Sequence, residues 1–116
     1  MPLIQVFTSA TPEPAAADKL LCDLSSTLAK HFDKPEQWVM TSLTPGVAMT
    51  FGGASGPTCF AAVKNVGKLT PAKTAKLSAD LCSRLSLGLD VPSNRIYLEF
   101  TEAVGYLWGY DGATFG

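Results

Sequence analysis

The sequence is poor in charge. Asp, Glu, Lys and Arg make up 16% of it, against 47% apolar residues. That leaves a small chain little polar skin, and we expect an oligomer that hides apolar surface. The formal net charge is −1 and no basic tract occurs, which argues against a nucleic-acid groove. Histidine is scarcer still. His31 stands alone, and the three cysteines, Cys22, Cys59 and Cys82, show no C-x-x-C spacing. This is no zinc-ligand set, so no metal is expected. In a reducing compartment the cysteines read most simply as small buried hydrophobes. G-x-S-x-G, the P-loop and G-x-G-x-x-G are all missing, and no cofactor is expected. No apolar run reaches the length of a membrane span, so no membrane partner is expected. The first residues lack the pattern of a secretory signal. We therefore expect a cytoplasmic protein, or one secreted without a signal peptide.

What is present is written twice. Residues 19–43, KLLCDLSSTLAKHFDKPEQWVMTSL, align without a gap on residues 76–100, KLSADLCSRLSLGLDVPSNRIYLEF, at an offset of 57. Lys19 meets Lys76, Leu20 meets Leu77, Asp23 meets Asp80 and Leu24 meets Leu81. Further on, Leu28 meets Leu85, Asp33 meets Asp90 and Pro35 meets Pro92. We read one domain over 1–116, built from pseudo-repeats 2–57 and 59–114.

Each copy reads strand, helix, strand. Ala17, Leu20, Leu21, Leu24 and Leu28 recur at the helical period, as do Leu77, Leu81 and Leu85. Thr70 and Pro71 make an N-cap and first helical position. Asp33-Lys34-Pro35 and Asp90-Val91-Pro92 stop the helices, because a residue before proline avoids the helical region. Strands are predicted over 3–7, 38–44, 59–64 and 95–101. A helix-length crossover makes each strand pair parallel. The predicted fold is α/β (α+β): a duplicated β-α-β unit whose four-stranded, mainly parallel-paired sheet carries both helices on one face. The other face is expected to be apolar, with Val6, Val39, Phe60 and Leu98 upon it, and to need a partner chain as cover. The tail, AVGYLWGYDGATFG, is either a short strand added to a neighbouring subunit or a packed terminal loop.

Pro2 stands directly behind the first methionine. Proline is tolerated at chain ends, which is one reading. The other needs Met1 to be removed, leaving Pro2 as a free secondary amine. Such an amine becomes a general base at neutral pH if burial or a nearby cation disfavours its charged form.

The stretches MPLIQVFTS, DKPEQWVM, MTFGGASGP, VGKL, NRIYLEF and the terminal GATF, in this order, resemble the macrophage migration inhibitory factor family of the tautomerase superfamily. The resemblance runs the whole length. It implies a homotrimeric barrel and a catalytic Pro2 exposed by loss of Met1. The implied chemistry is keto–enol tautomerisation of phenylpyruvate-like aromatic 2-oxo acids and dopachrome-like compounds. By the same resemblance Leu3, Val66, Trp108 and Phe115 form an apolar wall, and the Val66 N–H holds the substrate oxygen. Lys34 binds the substrate carboxylate and Tyr97 edges the pocket from an adjacent subunit. Each has a plainer alternative: Lys34 as a helix-end charge, Tyr97 as strand packing, Trp108 as trimer interface. Glu99 stands where the best-known members carry asparagine, and a carboxylate there would repel an acid substrate unless it points away or pairs with Lys34. PTCFA keeps only Cys59, so no thiol–disulfide activity is expected. The alternative function is a cytokine-like trimer that binds a protein receptor and turns over substrate weakly. Branches of the superfamily with other reactions place arginines around the proline. Here the only arginines are Arg84 and Arg95, and that reading ranks low.

Overall fold

Proline opens both helices in the computed structural model, which describes residues 1–116. Pro14 begins α1 (Pro14–Phe32) and Pro71 begins α2 (Pro71–Leu89). Its missing N–H is one that the first turn would leave unpaired anyway. The Thr70 hydroxyl accepts the Lys73 N–H at 3.2 Å and caps α2, while Glu13 precedes α1 without a side-chain bond. Each helix ends on an aspartate in the left-handed region, Asp33 at φ 50° and Asp90 at φ 55°. Aspartate tolerates this region better than most side chains. Pro35 and Pro92 then lead into matching 3₁₀ turns, Glu36–Trp38 and Ser93–Arg95. The offset of 57 thus holds in the bounds of the helices and of the turns after them.

The strands are β1 (Leu3–Thr8), β2 (Met40–Thr44), β3 (Cys59–Val66) and β4 (Ile96–Ala103). They lie in the order β2-β1-β3-β4. The outer pairs, β1·β2 and β3·β4, are parallel, and the central pair β1·β3 is antiparallel. Leu24 and Leu28 of α1 join Leu77, Leu81 and Leu85 of α2, with Ile4, Val6, Ala61 and Val63 of the sheet, in one buried cluster. Both helices therefore cover the same sheet face, as expected. Each fully buried leucine contributes roughly 1.5–3 kcal/mol. Across the outer surface of the helix pair, Arg84 bridges the equivalent carboxylates of Asp23 and Asp80 at 2.5 and 2.7 Å. His31 adds a 2.7 Å contact to Asp80.

The open sheet face differs from expectation. Val6 is fully buried under the helices, and Val39 and Leu98 pack on the same core. Of the four residues assigned to the open face, only Phe60 belongs there. The reason is phase. In β1 both sets of alternate residues are apolar, Leu3 and Phe7 on one side, Ile4 and Val6 on the other. A slip of one residue moves the whole set across the sheet. The open face presents three rows: Met40, Leu3, Lys64, Thr101; then Ser42, Gln5, Ala62, Glu99; then Thr44, Phe7, Phe60, Tyr97. It is apolar at one end, where Phe7 and Phe60 stack at 6.2 Å, and polar through the middle.

The tail forms a structure of its own. After a 3₁₀ turn, Gly105–Leu107, strands β5 (Gly109–Tyr110) and β6 (Ala113–Thr114) pair antiparallel. Asp111 and Gly112 lie between them at φ 50° and 80°, the two positive values of a type I′ hairpin turn. The hairpin closes on Gly105, where an added Cβ would come within 2.6 Å of the Phe115 carbonyl oxygen. Within the chain the tail is thus a paired hairpin rather than the packed loop of the plainer reading.

Candidate active site

Three segments far apart in sequence meet at the head of β1. The first is the chain start. Pro2 is fully buried, and its carbonyl accepts the Met40 N–H at 3.0 Å, extending the β1·β2 pairing by one bond. The second is the turn after α1, which holds Lys34 and Trp38. The third is the tail hairpin, folded back over both. Together they enclose a cavity of about 200 Å³, with Pro2, Leu3, Trp38, Met40, Trp108, Tyr110 and Phe115 among its walls. The Trp38 ring meets Tyr110 edge-on at 5.0 Å and Phe115 at 6.5 Å, and Tyr110 stacks on Phe115 at 5.9 Å. Such pairs contribute beyond their buried area and fix the walls.

Lys34 supplies the charge. The left-handed Asp33 breaks α1 and turns the chain, so that Lys34 leaves the helix axis. Its Nζ donates to the Val66 carbonyl at 3.0 Å. It also lies by the amino group of Met1, whose pKa is pushed down to about 6, first by burial and then by the hydrogen bond and charge of Lys34. Both influences favour the neutral form of this amine.

Pro2, Leu3, Trp108 and Phe115 share the cavity, and Lys34 and Val66 meet beside its amine. Tyr97 and Glu99 do not join them within one chain. They lie on β4, at the sheet edge opposite β2, and both are exposed. Tyr97 packs on Phe51 at 4.8 Å, and Glu99 forms no ion pair with Lys34. Sequence reasoning missed Trp38, Met40 and Tyr110. The strand predicted over 38–44 begins only at Met40, and Trp38 stands in the 3₁₀ turn, which aims it at the tail. The Asp111-Gly112 pair was the available signal for Tyr110, as a hairpin turn that returns the tail on itself. A larger cavity, about 760 Å³, lies by Ser9, residues 47–50 and Asp90. Asp90 is its one ionisable side chain, and no base faces it there.

The family model described as macrophage migration inhibitory factor (MIF) matches residues 1–116. A macrophage migration inhibitory factor homolog of Trichuris trichiura is 33% identical over 99% of this chain and 100% of its own. The macrophage migration inhibitory factor of Xenopus tropicalis is 30% identical over 99% of each. Among solved structures, the homologue from Prochlorococcus marinus superposes with a TM-score of 0.92 at 44% identity, covering 98% of this chain and 99% of that one. The Toxoplasma gondii protein gives 0.92 at 32% identity, over 97% and 99%. Matched over its whole length by that family model and by these relatives, and built on the same duplicated β-α-β sheet, the chain belongs to the macrophage migration inhibitory factor family.

Proposed function

We propose that the protein is a keto–enol tautomerase for aromatic 2-oxo acids such as phenylpyruvate, with the Pro2 nitrogen as general base once Met1 is removed. The observation that carries this is the half-buried Met1 amine beside Lys34, pushed down to about 6, at an aromatic-walled cavity that Pro2 also lines. Those two influences would act on the Pro2 amine as well and favour its neutral form. The neutral nitrogen takes a proton from C3 of the substrate, and return of a proton from the resulting Pro2 ammonium, directly or through water, to the carbonyl oxygen completes the enol and regenerates the base. Lys34 binds the carboxylate, and the Val66 N–H holds the oxygen on which charge develops. Leu3, Trp108 and Phe115 pack the substrate ring.

A second copy completes the pocket in this reading. Tyr97 and Glu99 stand across the sheet from Pro2, so a neighbour in a homotrimer would lend them. The low charge of the chain and the exposed Met40, at 65%, support that assembly. A receptor-binding signalling trimer with weak turnover is the second reading. Glu99 favours it, because a carboxylate at the pocket edge repels an acid substrate and raises the pKa of the amine. The names of the relatives, as migration inhibitory factors, point the same way.

Intact mass, light scattering and a phenylpyruvate assay on one sample test the proposal. The expected result is a trimer that starts at Pro2 and tautomerises phenylpyruvate. A Pro2-start trimer without turnover would leave the signalling reading.

A further inference from the structure

Arg95 ends the turn before β4, at the position equivalent to Trp38 in the first half. Trp38 packs on the tail. Arg95 reaches instead into the loop of residues 45–58, which follows β2. Its Nε–H donates to the Pro57 carbonyl at 2.6 Å. One Nη donates to the Ala54 carbonyl at 3.0 Å and to the Thr58 hydroxyl at 2.9 Å. The other points to the Phe51 carbonyl at 3.5 Å, and the guanidinium lies 5.7 Å from the centre of the Phe51 ring. The loop reverses at Gly52 and Gly53, φ 60° and 79°, between the mutually bonded Phe51 and Ala54. Two glycines make a pliable bend, and a planar fork of donors restrains it. Phe51 in turn packs on Tyr97, ring centres 4.8 Å apart. Tyr97 is otherwise 65% exposed on the sheet edge.

We propose that Arg95 is a positioning residue for the pocket. By clamping the loop it holds Phe51 against Tyr97, and the fixed Tyr97 ring sets the preference for aromatic over aliphatic 2-oxo acids. This rests on the tautomerase reading above, in which Tyr97 faces the Pro2 of a neighbouring copy. Arg95 itself does not touch the substrate.

Enolisation releases a C3 proton, so catalysed exchange of C3–H for deuterium in D₂O, followed by NMR, reads phenylpyruvate and 4-methyl-2-oxopentanoate alike. Arg95→Ala in the full chain is expected to raise KM for phenylpyruvate about fivefold, the scale of one lost aromatic contact. It should leave kcat within about twofold and KM for the aliphatic acid unchanged, the split of a lost binding contact. Arg95→Lys, which keeps the charge but not the fork, should behave like Arg95→Ala. Phe51→Leu should reproduce the split, and the double variant should be no worse than either single one. Equal losses on both substrates, a fall in kcat alone, or additive effects would overturn the proposal. A second readout needs no activity. In protein labelled with 3-fluorotyrosine, the Tyr97 resonance, assigned by Tyr97→Phe, should shift in Arg95→Ala while those of Tyr106 and Tyr110 stay. An unmoved Tyr97 signal overturns the clamp. Wild-type protein that exchanges neither acid overturns the tautomerase reading and the selectivity claim with it, even where the Tyr97 signal moves.

Discussion

Pro2 and Cys59 occupy equivalent positions in the two halves, as do Lys34 and Val91, and Trp38 and Arg95. The first half places an amine and a lysine by a cavity. The second buries a thiol and a valine in the core, each 1% exposed. Desolvation acts on both halves and favours the neutral form in each. The Met1 amine, one residue ahead of Pro2, is pushed down to about 6. The Cys59 thiol is pushed up to about 12, by burial and then by Cys82. For an amine the neutral form is the reactive base, whereas for a thiol it is the inert one. One backbone and one physical effect thus yield a candidate site in one copy and plain core in the other. The long segments cross between copies. Trp38 of the first half holds the tail that ends the second, and Arg95 of the second half holds the loop that ends the first.

Writing the first half's residue into the second tests the comparison most severely. Val91→Lys places a cation where no cavity receives it. An uncompensated buried charge of this kind costs about 3–5 kcal/mol, read from urea or thermal unfolding. A variant as stable as wild type would mean that the second half hides a site after all. Next in size is one alanine inserted between Met1 and Pro2. Pro2 then becomes an amide in a fold that is otherwise intact, and phenylpyruvate turnover should fall roughly 10²-fold or more, as expected for loss of a general base. Normal turnover would remove Pro2 from the chemistry. Lys34→Val imports the second half's residue into the first. It should raise KM for phenylpyruvate about tenfold, equivalent to about 1.4 kcal/mol of uniform binding. It also removes one of the influences that depress the amine. The amine's pKa then rises, and the acid limb of the kcat/KM profile moves to higher pH; an unmoved limb returns Lys34 to the role of a helix-end charge.

The smallest effect lies where the halves are most alike. Asp23 and Asp80 both bind Arg84, but Asp80 also takes His31. The His31 hydrogen bond, with Arg84 behind it, holds the Asp80 carboxyl below its ordinary range. Asp80→Asn should cost roughly 0.5–1 kcal/mol at neutral pH, given the partial exposure of the pairs, and Asp23→Asn less. A depressed carboxylate contributes its stability above the unfolded pKa of about 4 and loses it as pH falls through the lower folded value. The gap between wild type and Asp80→Asn should therefore close below about pH 4. Equal costs for the two variants would mean that His31 adds nothing.

The repeat made the helices and their ends legible, because Pro14 and Pro71, Asp33 and Asp90, and Pro35 and Pro92 act through local backbone preferences. The phase of β1 was not legible, since Leu3-Ile4 and Val6-Phe7 are apolar on both sides of the strand and only packing against α1 and α2 decides between them. Pro2 and Lys34 were found through family resemblance. The aromatic walls at Trp38 and Tyr110 were missed, because they depend on where a 3₁₀ turn and a hairpin send two rings in space. Tyr97 and Glu99 lie outside the cavity of one chain for a reason no local pattern carries: β4 joins the edge of the sheet remote from β2.

The central strand pair has a kinetic consequence. Each β-α-β half is local in sequence, but β1 joins β3 through partners such as Leu3 and Lys64, and that pairing must close a long loop before it gains anything. Neither half can complete its hydrophobic cluster first, because leucines from both helices fill the same one. Folding is then a single late event with a barrier set by topology, and the two copies, separable on paper, behave as one cooperative body in solution.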